Sequence, residues 1–96
     1  MEPSREATWT RIMAVQEQFN RLEKTFANIP AERVRWWLRW RFMRSVHAMI
    51  EVRGAHSHGA LVSESERRLP NLENSAEAYT RKFAELQSEK KRSRHA

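Results

Sequence analysis

Residues 33–44 read RVRWWLRWRFMR, five arginines and three tryptophans in twelve positions, and the fold turns on whether this stretch is strand or helix. Counted in twos, Val34, Trp36, Leu38, Trp40 and Phe42 are apolar while Arg33, Arg35, Arg39 and Arg41 alternate with them, as in a half-buried strand; only Trp37 breaks the pattern. Counted as a helix, Trp36, Trp40, Met43, His47 and Ile50 form one row, and Leu38, Phe42, Val46 and Met49 form a second beside it. At about 100° per residue the two rows cover roughly two thirds of the circumference. A strand would need a partner, and no second alternating segment exists in the chain, so it would have to pair across a dimer. The apolar spacing also runs on through Met43, Val46, Met49, Ile50 and Val52, past the end of the period-two pattern. Helix is therefore the reading adopted, with an intermolecular strand as the alternative for residues 33–42.

Working outward, Ala31 to Arg53 contains no breaker, Pro30 suits a first helical turn and Gly54 a C-terminal cap, which predicts a helix over 30–53. Upstream, Ser4 is a good N-cap for a helix over 4–28, in which Ile12, Val15, Phe19, Leu22, Phe26 and Ile29 recur at spacings of three and four. That seam must lie on something apolar, because the other faces carry Arg11, Glu17, Arg21, Glu23 and Lys24. Downstream, GAHSHGA (54–60) lies between the two glycines and opens a connection over 54–73 that has room for one short helical turn before Pro70. Asn74 with Glu77 forms a capping-box pattern, and Ala76, Tyr79, Phe83 and Leu86 give a short stripe, so a third helix is expected over 74–89 and a disordered basic tail over 90–96. The expected fold is a single all-α domain over 1–96. It consists of two long antiparallel helices plus a short C-terminal one, paired into a homodimer through the central helix.

The net charge is +6, from 18 basic and 12 acidic residues. Fourteen of the bases are arginine and every acid is glutamate. Residues 31–53 hold six arginines against two glutamates, so the charge is concentrated on the central segment and the terminal KKRSR. This balance favours acidic partners. No cysteine is present, which excludes disulfides and thiol chemistry. No run approaches a signal peptide or a membrane span, and a cytoplasmic protein with no membrane partner is expected. His56 and His58, with His47 or His95, lack a neighbouring Asp or Cys and are read as ordinary loop residues, so neither metal nor cofactor is expected. The chain carries no nucleophile motif and no glycine-rich phosphate loop, which predicts no enzyme and no small-molecule substrate. Arg11 and Arg39 are the arginines whose spacing would best suit a dicarboxylate.

Much of the apolar arc should be core. Phe19, Leu22, Phe26, Leu38, Phe42, Met43, Val46, Met49 and Ile50 are assigned to the core or to the dimer contact. The arc is too wide for a thin first helix and a short last one to cover, so apolar surface should remain. Trp36, Trp37, Trp40, Arg33, Arg39, Arg41 and Arg44 are assigned to a partner-binding surface, since Trp and Arg are enriched at binding hot spots. Arg35 and Arg39 fall inside the apolar arc and should meet glutamates. The expected function is a small non-enzymatic regulatory protein that inhibits or sequesters a protein partner such as a bacterial regulator. Arginine-rich, lysine-poor usage points to a G+C-rich genome. The alternative is a basic DNA- or RNA-binding transcriptional regulator, with Arg33, Arg41 and Arg44 on phosphates and Lys90, Lys91, Arg92 and Arg94 as an arm. A membrane-surface role ranks third, because the first helix offers a seam to cover the same apolar face.

Overall fold

The computed structural model describes the backbone of residues 3–95 and the side chains of residues 3–88. The first helix, α1, runs Arg5–Ala27. The Ser4 hydroxyl accepts from the Ala7 amide at 3.0 Å, and Glu6 and Lys24 complement the dipole at the two ends. Its seam points inward, with Ile12, Val15, Phe19 and Leu22 buried. Asn28 caps the helix and Ala31–Arg33 forms a single 3-10 turn, which turns both Ile29 and Val34 into the core.

The central helix, α2, runs Trp36–Ser57, later at both ends than the expected 30–53. Its start is displaced because the turn after Pro30 is needed to bury Ile29 and Val34. Its end is displaced because Val52 and His56 are both buried on the face that already holds Leu38, Phe42, Val46 and Met49. Gly54 therefore lies inside the helix, and the reversal falls at Gly59, whose φ of 95° is the left-handed conformation glycine tolerates best. No strand occurs among the described residues, and the intermolecular strand proposed for 33–42 gives way to helix from Trp36.

The third helix, α3, runs Val62–His95 and is the longest element, against an expected short helix over 74–89. The connection predicted over 54–73 shrinks to residues 58–61. Pro70 sits inside α3, exposed to solvent, while its neighbours Leu69, Leu72 and Ala76 are buried. A proline in a helix interior costs about 3 kcal/mol, and burial of that stripe against α1 and α2 offsets it. Asn74 and Glu77 consequently cap nothing; Glu77 accepts from Arg81 along the helix at 3.2 Å. The α3 backbone also continues through the segment expected as a disordered tail, up to His95, while the side chains of Lys90, Lys91, Arg92 and Arg94 lie outside the described residues. Pro70→Ala should restore a backbone donor at no packing loss and stabilise the chain by about 1–3 kcal/mol, read as a rise in the urea midpoint.

The three helices run up, down and up. Thr8 and Arg11 meet Glu66 and Phe26 meets Phe83, so α1 and α3 are parallel, with α2 antiparallel to both. At the α1–α2 turn the core is aromatic. Phe42 lies 5.1–6.3 Å, centroid to centroid, from Phe19, Phe26, Tyr79 and Phe83.

Candidate interaction surface

The two rows of α2 separate cleanly. Leu38, Phe42, Val46 and Met49 are buried, while Trp36 is 78% exposed, Trp40 55%, Met43 43% and Ile50 54%. Of the residues assigned to core or dimer contact, Phe19 and Leu22 are buried and Phe26 is partly so, but Met43 and Ile50 lie outside the core of the single chain. Trp37 is 39% exposed and stands in one row with Arg41 and Arg44, at helical spacings of four and three. Arg41 and Arg44 of this row line a groove of about 320 Å3 between α2 and α3, together with Ser45, Asn71, Ser75 and Tyr79. Asn71, Ser75 and Tyr79 present amide and hydroxyl donors beside the two guanidinium groups, a set suited to carboxylates, while the Ser45 hydroxyl donates to the Arg41 carbonyl at 3.2 Å.

The arginines behave differently from expectation. Among the described residues no ion pair engages Arg33, Arg35, Arg39, Arg41 or Arg44. Arg35 is exposed at the N-cap of α2, and the Arg39 guanidinium lies 5.1 Å from the centroid of Phe26, so neither meets the glutamate expected for it. Rim position and a cation–π contact remove the need for a counter-charge. Arg44 covers Trp40 in the same way at 4.8 Å.

Arg11 is committed elsewhere. It donates to Glu66 and, at 2.7 Å, to Glu73, while the Thr8 hydroxyl donates to Glu66 at 2.6 Å. The hydrogen bond to Glu73 is the largest cause raising the Arg11 pKa from its ordinary value; burial opposes it, and the charges of both carboxylates carry the balance upward. Arg11 thus joins α1 to α3 with its charge already met by two carboxylates, and with Arg39 over Phe26 the two do not form a site.

His56 is a core residue. Its Nδ1 is 2.9 Å from Ser65 Oγ, its Nε2 is 3.2 Å from the Arg5 carbonyl, and its ring stacks on Trp9 at 6.0 Å. Arg5 in turn donates to the His56 carbonyl at 2.8 Å and to that of Ala60, tying down the turn. Among the described residues no group of three or more His, Glu, Asp or Cys side chains is placed to hold a metal. No described helix is long and apolar enough to cross a membrane. Sequence reasoning missed the His56–Ser65–Arg5 cluster, whose only signal was a histidine one turn beyond Val52 on the buried face.

Fold and surface together define an all-helical three-helix chain with an exposed Trp–Arg face. Compared with family models, curated proteins and solved structures, the chain matches none, so its surface has to be read by its own chemistry.

Proposed function

We propose that this protein is a small non-enzymatic regulator that binds an acidic surface of a protein partner and blocks or sequesters it, acting as a homodimer through α2. The observation that carries the reading is the Trp37, Arg41 and Arg44 row, an aromatic anchor on one row with two arginines that no described carboxylate neutralises and that line a polar groove. Arginines left unpaired by their own chain are available for bidentate contact with carboxylates. Tryptophan supplies a large area at low entropic cost.

The same arginines favour nucleic acid as the second reading, in which Trp37 would stack on an unpaired base. The two differ in salt dependence. Phosphate contacts predict binding that weakens steeply and linearly in log salt, whereas a hot-spot contact depends chiefly on the aromatic anchor.

The test is affinity capture from nuclease-treated lysate of the source cells, with the full chain and its Trp37→Ala and Arg41→Ala variants as baits. The expected result is a protein retained by the parent chain and weakened at least about tenfold by Trp37→Ala, the loss of a hot-spot side chain. Equal capture by all three baits would overturn the surface assignment. Nucleic acid eluting only at high salt would replace this reading with the second.

A further inference from the structure

The exposed row of α2 is longer than its tryptophans. Trp36, Trp40, Met43, His47, Ile50, Gly54 and Ser57 follow one another at alternating spacings of four and three, a heptad seam that ends with the helix at Ser57. Taking ~200 Å2 for a large side chain, the exposed parts of its apolar members amount to roughly 460 Å2 per copy, or roughly 900 Å2 for a pair. The first figure lies within the range of the largest apolar patches on ordinary monomers, and the second, before the polar flanks are counted, is the size of a weak interface.

Gly54 points to the occupant. It sits inside α2, where glycine costs about 1 kcal/mol relative to alanine. Its φ is not positive, and a Cβ built on it would meet nothing within 4 Å, so nothing in the single chain requires a glycine there. A helix packed closely over that position does. We propose that the occupant is a second copy of the chain, laid antiparallel along the seam about a two-fold axis between His47 and Ile50. At that register Trp40 faces Ser57 of the partner subunit and Met43 faces Gly54 of the partner subunit, while Trp36 lies beyond the end of the partner's α2. His47 faces Ile50 of the partner subunit. Trp40 and Met43 each meet a small residue, twice over.

Charge selects the same direction. Glu51 is the only carboxylate of α2, lies on the same flank of the seam as Arg44, and accepts only a long 3.4 Å contact from the exposed Arg68 of its own chain. In the antiparallel pair these flanks adjoin, and Glu51 comes within a few ångströms axially of the partner's Arg44. A parallel pair would instead place Arg44 beside Arg39 of the partner subunit, Trp40 on its own copy and Gly54 on its own copy. The pairing rests on the homodimer of the proposed function and adds its register. It also divides the Trp–Arg face: Trp40 is covered, Trp36 lies at the end of the pairing, Trp37 stands at its edge on the flank of Arg44, and Arg41 with its side of the groove remains open, once at each end of the dimer.

Because the chain has no cysteine, the register can be read by cross-linking without background. Full-length Met43→Cys and Gly54→Cys variants are oxidised separately and as a mixture, alongside sedimentation of the parent chain across micromolar dilution. Antiparallel pairing gives a disulfide-linked species in the mixture and little in either variant alone. Self-linking of each variant alone would overturn the register and leave the dimer standing. A parent chain that sediments as one copy throughout would remove both the register and the homodimer, while leaving partner capture through Trp37 to its own test. Gly54→Leu supplies the second readout: a better helix former with open space in the single chain, it should raise the Tm of dilute protein yet raise the dimer Kd at least about tenfold through overpacking. An unchanged or lower Kd would count against close approach at Gly54.

Discussion

Phe42→Ala should lower the stability of the chain by about 3–5 kcal/mol, the range for truncating a fully buried aromatic side chain. Phe42 is 1% exposed, and its ring touches Phe19 and Phe26 of α1 and Tyr79 and Phe83 of α3, two of them edge-on. No other side chain contacts an aromatic ring on each of the other two helices so extensively, so its removal opens a void that all three helices border and none can close alone. A domain of this size has about 5–15 kcal/mol in total, which makes the loss a large share of it. Urea unfolding followed by far-ultraviolet circular dichroism would show the midpoint fall with an unchanged slope. Trp36→Ala is the matched control on the same helix: at 78% exposure it should move dilute single chains by no more than about 0.5 kcal/mol. Similar losses from both would mean that α2 presents a different face to α1 and α3.

That contrast locates what the sequence alone conveyed. Periodicity was enough to pair the rows of α2 and to turn the seam of α1 inward, because each buried position repeats at the helical period. It could not say which α2 row is covered, since both are apolar and the choice depends on where α3 lies. The length of α3 was hidden by Pro70, whose local cost is exceeded by a buried stripe that runs from Leu69 to Leu86 and is recognisable only when the partner helices are in place. Gly54 misled in the same way. Read as a stop signal, it proved to be an interior residue, because the true reversal uses Gly59 with its positive φ. On the surface, the Trp–Arg composition was legible. The division between Trp36 and Trp40 on the seam and Trp37 in the row of Arg41 and Arg44 was not, because it depends on a helix wheel whose orientation the core fixes.

The second large effect is expected at the opposite end of the bundle from the aromatic cluster, where His56→Ala should cost about 3 kcal/mol or more. The Arg5 carbonyl can only accept, so His56 Nε2 carries the proton and Nδ1 accepts from the Ser65 hydroxyl, itself buried. Truncation therefore leaves the buried Ser65 hydroxyl without its partner, at about 1–3 kcal/mol, takes one donor from the Arg5 carbonyl, and removes the buried ring stacked on Trp9. Ser65→Ala orphans Nδ1 and should cost less, about 1–2 kcal/mol, and the double variant should cost less than the sum because the two side chains share one bond. His58→Ala is the local control: its Nδ1 lies 2.7 Å from the Gly54 carbonyl in an exposed position, so well under 1 kcal/mol should be lost. Chemical denaturation of the four variants decides the matter, and a His56→Ala loss no larger than that of His58→Ala would show that the cluster does not hold the helices together. The consequence reaches the surface as well. His56, Arg5 and Ser65 fix the end of α2 against the starts of α1 and α3, and that end carries Ser57, the last position of the seam. If the seam pairs in the proposed register, loosening this cluster should weaken the dimer even though none of its three members touches the second copy.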